Sequence, residues 1–214
     1  MSFHRFIVNA LTFARVPLIV AWLGFAIVQE FTITPTDAGR FDWAVWACAM
    51  MLLSGLTDAW DGALARKWNV VSALGKMADP LMDKVFYLVA FPALVWQIMH
   101  QGESDAHALT MLFFTILYML RDTWVTFLRS VGALYGADVA AMWLGKVRTA
   151  LSFPGAGWVY MYCCFHRMAP ASWQRPWLVS CYAVEGLLIV LTVWSLFTYT
   201  SAYLPYLKKA LERK

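Results

Sequence analysis

Six long apolar stretches, separated by short polar breaks, divide the chain at about 6–29, 43–67, 74–99, 107–131, 144–165 and 176–202. Each has the length a helix needs to cross a bilayer, about 20 residues. The breaks carry turn and polar signals: Thr34-Pro35-Thr36-Asp37-Ala38-Gly39, Gln101-Gly102-Glu103-Ser104-Asp105 and Ala169-Pro170. This pattern predicts an all-α, polytopic membrane protein of about six transmembrane helices. No linker, internal repeat or low-complexity tract marks a second unit, so residues 1–214 are expected to form a single membrane domain.

Composition agrees. Of the 214 residues 61% are hydrophobic and 14% charged, against roughly a quarter charged in a soluble domain. The net charge of +4 is too small to suggest nucleic acid as a partner. Located along the chain, it does carry information: with both termini cytoplasmic, one side receives Arg5, Arg66, Lys67, Arg129, Lys146, Arg148 and the tail from Lys208 to Lys214, while the other receives Arg40, Arg167 and Arg175. Positive residues favour the cytoplasmic side, which places both termini there, as in a bacterial inner membrane, and the basic tail near anionic headgroups. The start imitates a signal peptide, with His4 and Arg5 before an apolar stretch. Arg15 interrupts that stretch and no small-residue cleavage site precedes Gln29, so a retained first helix is expected. Cys48, Cys163, Cys164 and Cys181 form no CxxC pair and read as small buried hydrophobes. His4, His100, His107 and His166 lie near span ends without clustering and read as surface or interface residues; Glu185 in the sixth span is a lone acid without an evident role, a helix–helix contact or a dimer contact being open to it.

Carboxylates inside membrane segments mark functional sites by default. Asp58 and Asp61 are three apart and Asp79 and Asp83 four apart, so each pair shares a helix face. A short link at 68–72 is expected to make spans two and three antiparallel neighbours, with both pairs at the same cytoplasmic end. Four converging carboxylates call for a cation between them, and oxygen donors suit Mg²⁺ or Mn²⁺. Two such ions can hold a phosphoryl group. Gly62 and Gly75 leave room for a phosphate to approach the backbone, and Arg66, four residues from Gly62, can pair with it. The alternative is solvated acids paired with Lys67, Lys76 and Lys84.

The run Asp58-x-x-Asp61-Gly62-x-x-Ala65-Arg66, followed by Gly75-x-x-x-Asp79-x-x-x-Asp83, resembles the signature of the CDP-alcohol phosphatidyltransferases at every fixed position. Asn9-x-Leu11-Thr12-x-x-Arg15 looks like the opening motif of the bacterial members. The resemblance implies the family's six-helix fold, with Asp58, Asp61, Asp79 and Asp83 holding two divalent cations. It implies that Asp83 is also the general base. Gly62, Arg66 and Ser72 would contact CDP-diacylglycerol, and Asn9 and Thr12 would line the nucleotide pocket. A homodimer in membrane lipid is the family's expectation.

The acceptor alcohol is read elsewhere. Arg121 and Arg129 are eight apart on span four, and Lys146 and Arg148 open span five. Cations on membrane helices need an anionic partner, which an acceptor bearing its own phosphate supplies. The stretch from Arg121 to Thr149 resembles the branch of the family that uses glycerol 3-phosphate, with Asp122, Arg148 and Ser152 departing from its usual Glu, Lys and Gln. Arg121, Arg129, Lys146 and Arg148 are therefore expected at the acceptor phosphate; interfacial snorkelling is the alternative. Phosphatidylglycerol, serine or an inositol phosphate are the rival acceptors. An ion-coupled transporter is the rival class, but the acids cluster at one face and no inverted repeat is present.

Overall fold

The computed structural model describes residues 3–32, 37–70, 73–102, 104–137 and 142–212, without the side chains of 37–40, 73–77, 79 and 80. Ser72 and the side chain of Asp79 therefore lie outside the described residues. Six long helices follow one another: α1 (Phe3–Phe31), α2 (Asp37–Lys67), α3 (Ala73–Gln101), α4 (Asp105–Leu134), α5 (Trp143–Phe165) and α6 (Ala171–Glu212), with a single 3₁₀ turn at His166–Met168 before the last. In lipid, a helix satisfies its own backbone groups, which is why apolar stretches of this length fold this way. Among the described residues four helices are long and apolar enough to cross a membrane, by length and composition: α1, α3 from Leu81, α4 and α6. The other two, α2 and α5, contribute Asp58 and Asp61 and Arg148 to the charged clusters described below.

The last helix runs ten residues past the predicted end at 202. Tyr203 is buried against the flat face left by Gly132 of α4, and Lys209 sits in the last turn, where a cation meets the negative end of the helix dipole. Packing and charge thus extend the helix beyond the apolar stretch.

One expectation fails. Spans two and three are not neighbours: among the described residues α1 packs against both α2 and α3, which do not pack on each other. The reason lies in α1. Its buried stripe includes Asn9, Thr12 and Arg15, polar groups that need partners in lipid, and the carboxylates of α2 and α3 provide them for Thr12 and Arg15. A cavity of about 370 Å³ lies on the other side, between α2, α3 and α5.

Further along, α4 and α6 run parallel and in register. Ser104 meets Tyr182, His107 meets Glu185, Arg121 meets Ser195 and Trp124 meets Thr200. The main core is aromatic: Tyr87, Phe91, Phe114 and Tyr118 pack ring to ring between α3 and α4, with centroids 4.9–5.7 Å apart. Such pairs add about 0.5–1.5 kcal/mol each beyond area burial.

The histidines depart from expectation too. His107 and His166 are buried, while His4 and His100 are exposed. His107 Nε2 lies 2.9 Å from Glu185 Oε1. His166 Nδ1 lies 2.7 Å from the Tyr162 carbonyl, with its ring stacked on that of Tyr162. Burial is tolerated because each ring has a polar partner. Glu185 is likewise a helix–helix contact. Cys163 and Cys181 are buried, Cys48 and Cys164 partly so, and none of the four is in a disulfide.

Candidate active site

Arg15 sits on the face of α1 that looks toward α2 and α3, one turn from Thr12 and two from Val8. Its guanidinium gathers three carboxylates. Nη2 lies 2.7 Å from Asp58 and 2.5 Å from Asp61, and Nη1 lies 3.2 Å from Asp83. Thr12 Oγ1 donates a second hydrogen bond to Asp61, at 2.8 Å. Arg15 and Asp61 are each 3% exposed, whereas Asp58 and Asp83 are 57% and 44% exposed. Asp61 thus anchors the cluster, and the other two, more exposed, line the cavity together with Arg15. In the sequence Arg15 interrupts an apolar stretch and closes the opening motif three residues after Thr12, without a site role assigned to it; its place on the same face as Thr12 was the available signal.

The three carboxylates reach one point because each helix delivers them by its own period. On α2, positions 58 and 61 are one turn apart, and on α3, position 83 faces the same space. The donor set consists of carboxylate oxygens, which fits a hard dication. In the described geometry one guanidinium offsets part of their charge, and among the described residues no three acids stand around one ion-sized space. Asp79 is on the same helix one turn before Asp83.

Of the residues expected at the CDP-linked lipid, Asn9 and Thr12 are buried on α1 and Thr12 belongs to the cluster. Gly62 and Arg66 lie one turn apart on α2, and the guanidinium of Arg66 covers the glycine: a Cβ there would sit 3.4 Å from its Nη1. Arg66 itself is exposed.

A second cluster stands where α3, α4, α5 and α6 meet. Arg121, on α4, is buried; its Nε donates to Ser195 Oγ at 3.1 Å and its Nη2 also bonds Ser195 Oγ. Tyr199 lies beneath it, with the guanidinium 4.9 Å from the ring centroid. Gly145 on α5 makes room: a Cβ there would come within 2.9 Å of the Tyr199 hydroxyl and 3.2 Å of Arg121 Nη2. Arg148, 1% exposed, stacks 3.9 Å over the ring of Tyr118. Asp122 joins the two: its Oδ1 is 3.5 Å from Arg121 Nη1 and 3.3 Å from Arg148 Nη2. Arg148 Nε and Nη1 have no hydrogen-bond partner. The residues that follow, Thr149 and Ala150, line the cavity that holds Asp58 and Asp83. Arg129 and Lys146 do not join this cluster: Arg129 is half-buried further along α4 and Lys146 is exposed.

Membrane-length helices that gather acids beside a cavity, with unpartnered nitrogens of Arg148 on the helix whose next residues line it, suit an enzyme embedded in the membrane. The chain belongs to the CDP-alcohol phosphatidyltransferase family, whose model matches residues 5–198. It is similar to proteins named CDP-diacylglycerol–glycerol-3-phosphate 3-phosphatidyltransferase. The one from Salmonella typhimurium is 29% identical over 163 residues, 76% of this chain and 81% of the relative. The one from Escherichia coli is 29% identical over 161 residues, 75% of this chain and 80% of the relative.

Proposed function

We propose that this protein transfers the phosphatidyl group of CDP-diacylglycerol to sn-glycerol 3-phosphate, releasing CMP and forming phosphatidylglycerophosphate. The observation that carries the acceptor assignment is Arg148: a buried guanidinium with two nitrogens unpartnered, next to the cavity of the aspartates. An unpaired buried cation donor costs several kcal/mol (of order 1–3 or more), and the phosphate of the acceptor offsets that cost. The activity for which the relatives in Salmonella typhimurium and Escherichia coli are named supports the same reading.

In this mechanism Asp58, Asp61, Asp79 and Asp83 hold two divalent cations, which when bound neutralise charge on the transferring phosphoryl group. The protein's own groups do the rest. Asn9 and Thr12 line the nucleotide side, and Gly62, Arg66 and Ser72 hold the diphosphate of CDP-diacylglycerol. Arg121 and Arg148 seat the acceptor phosphate, with Arg129 and Lys146 as a further attracting charge at the cytoplasmic rim. Asp83, partly exposed to the cavity, accepts the proton of the acceptor hydroxyl as its oxygen attacks the β-phosphorus; CMP departs. Much of the gain comes from orientation, since holding two reactants in line removes an entropic cost of about 7–11 kcal/mol at most. The residues 1–214 act as one membrane domain, as a homodimer with both termini and the site facing the cytoplasm.

The test is CMP release by detergent-purified protein with CDP-diacylglycerol and Mg²⁺, offered glycerol 3-phosphate, phosphatidylglycerol, serine or an inositol phosphate in parallel. Release with glycerol 3-phosphate alone is expected. Release with another acceptor instead would keep the chemistry and overturn the acceptor; no release with any would favour transport.

A further inference from the structure

Asp122 faces three cations, not two. Beyond Arg121 and Arg148, its Oδ2 lies 3.4 Å from Lys84 Nζ. Lys84 also donates to Thr126 Oγ1 at 2.9 Å, and that hydroxyl donates to the Asp122 carbonyl at 2.8 Å. One carboxylate therefore ties α3, α4 and α5 together. Lys84 directly follows Asp83 on α3, so the same tie links the arginines to the helix that carries the proposed base.

The charges do not balance. Three cations share one acid, and each has its own second anchor: Ser195 and Tyr199 for Arg121, the Tyr118 ring for Arg148, Thr126 for Lys84. Each is thus held from two sides, by its own anchor and by Asp122. What it does is hold three donors of one sign to a common centre, which their mutual repulsion opposes. The surplus charge and the unpartnered nitrogens of Arg148 leave this centre prepared for a second anion.

Resting on the acceptor reading above, we propose that Asp122 is a positioning residue that gathers Lys84, Arg121 and Arg148 into a three-cation seat for the phosphate of the acceptor, with Lys84 as a phosphate ligand on the helix of Asp83. Asp122 touches no reacting atom. It acts by setting the distance between the phosphate seat and Asp83.

The experiment is a set of KM and kcat measurements on the full-length protein in detergent with Mg²⁺, varying each substrate in turn, for wild type, Asp122→Asn, Asp122→Glu and Lys84→Gln. Loss of a partner in a charged cluster predicts that Asp122→Asn raises KM for glycerol 3-phosphate about tenfold or more, while KM for CDP-diacylglycerol stays within about twofold. Asp122→Glu is expected to recover most of the loss. Lys84 is 47% exposed, so Lys84→Gln should fold even if Asp122→Asn does not, and it is expected to raise the same KM about three- to tenfold. An unchanged or lowered KM for glycerol 3-phosphate in both Asp122→Asn and Lys84→Gln, or equal rises for both substrates, would overturn the positioning role alone. Wild type inert with glycerol 3-phosphate would instead overturn the acceptor assignment, and this role with it.

Discussion

Arg15 and Asp61 form a buried ion pair, 2.5 Å apart and each 3% exposed, at the point where the first two helices and the third converge. The pair explains why α1 is interposed between α2 and α3. A buried guanidinium cannot be left in lipid alone, and Asp61 cannot be buried without it or another cation.

This pair makes a prediction about stability. Arg15→Gln leaves Asp61 buried and uncompensated, so it should destabilise the protein by about 3–5 kcal/mol and abolish CMP release. Thermal unfolding in detergent should show a larger rise on adding Mg²⁺ in the variant than in wild type, because the ion then relieves an otherwise unbalanced cluster. Equal shifts would count against the carboxylates as the metal site.

Asp83 has the geometry of a base, half-exposed to the cavity and at its edge. Asp83→Asn should lower kcat by about a hundred- to ten-thousand-fold while CDP-diacylglycerol still binds. Equilibrium binding of a labelled CDP-lipid, beside single-turnover CMP release, separates the two. A variant with normal kcat would remove Asp83 from proton transfer.

Metal removal gives a third outcome. Chelation should stop CMP release, and Mg²⁺ or Mn²⁺ should restore it, as expected for an all-carboxylate donor set. Activity that survives exhaustive chelation would sink the metal assignment.

Gly145 is where the backbone of α5 meets Arg121 and Tyr199. Gly145→Ala places a methyl 2.9 Å from the Tyr199 hydroxyl, an overpacking expected to cost about 1–3 kcal/mol. The relief is displacement of Arg121, so KM for glycerol 3-phosphate should rise more than KM for CDP-diacylglycerol. Differential unfolding and the two KM values check both parts.

The His107–Glu185 pair lies away from both clusters. Glu185→Ala strands a buried histidine, whereas Glu185→Gln keeps a hydrogen bond to it. The alanine variant should lose about 3 kcal/mol of stability and the glutamine variant much less, with kcat within about threefold of wild type for both below their melting temperatures. A selective loss of activity in Glu185→Gln would give this acid a role beyond packing.

What the sequence by itself determined is what local periodicity carries. Six helices follow from apolar runs of bilayer length. The pairing of Asp58 with Asp61 on one face follows from 3.6 residues per turn, as does that of Arg15 with Thr12, though the motif that holds the second pair gave Arg15 no partner. Residue spacing also carried the family signature. Which helices touch was decided only by the tertiary structure. Span two precedes span three, yet α1 separates them, because polar groups buried in lipid choose partners by charge and not by order along the chain. In the same way Asp122 serves cations 38 residues before it and 26 after it, and Glu185 finds a histidine 78 residues away. A charge inside a membrane announces that it needs a counter-charge; only the packed helices say which one it takes.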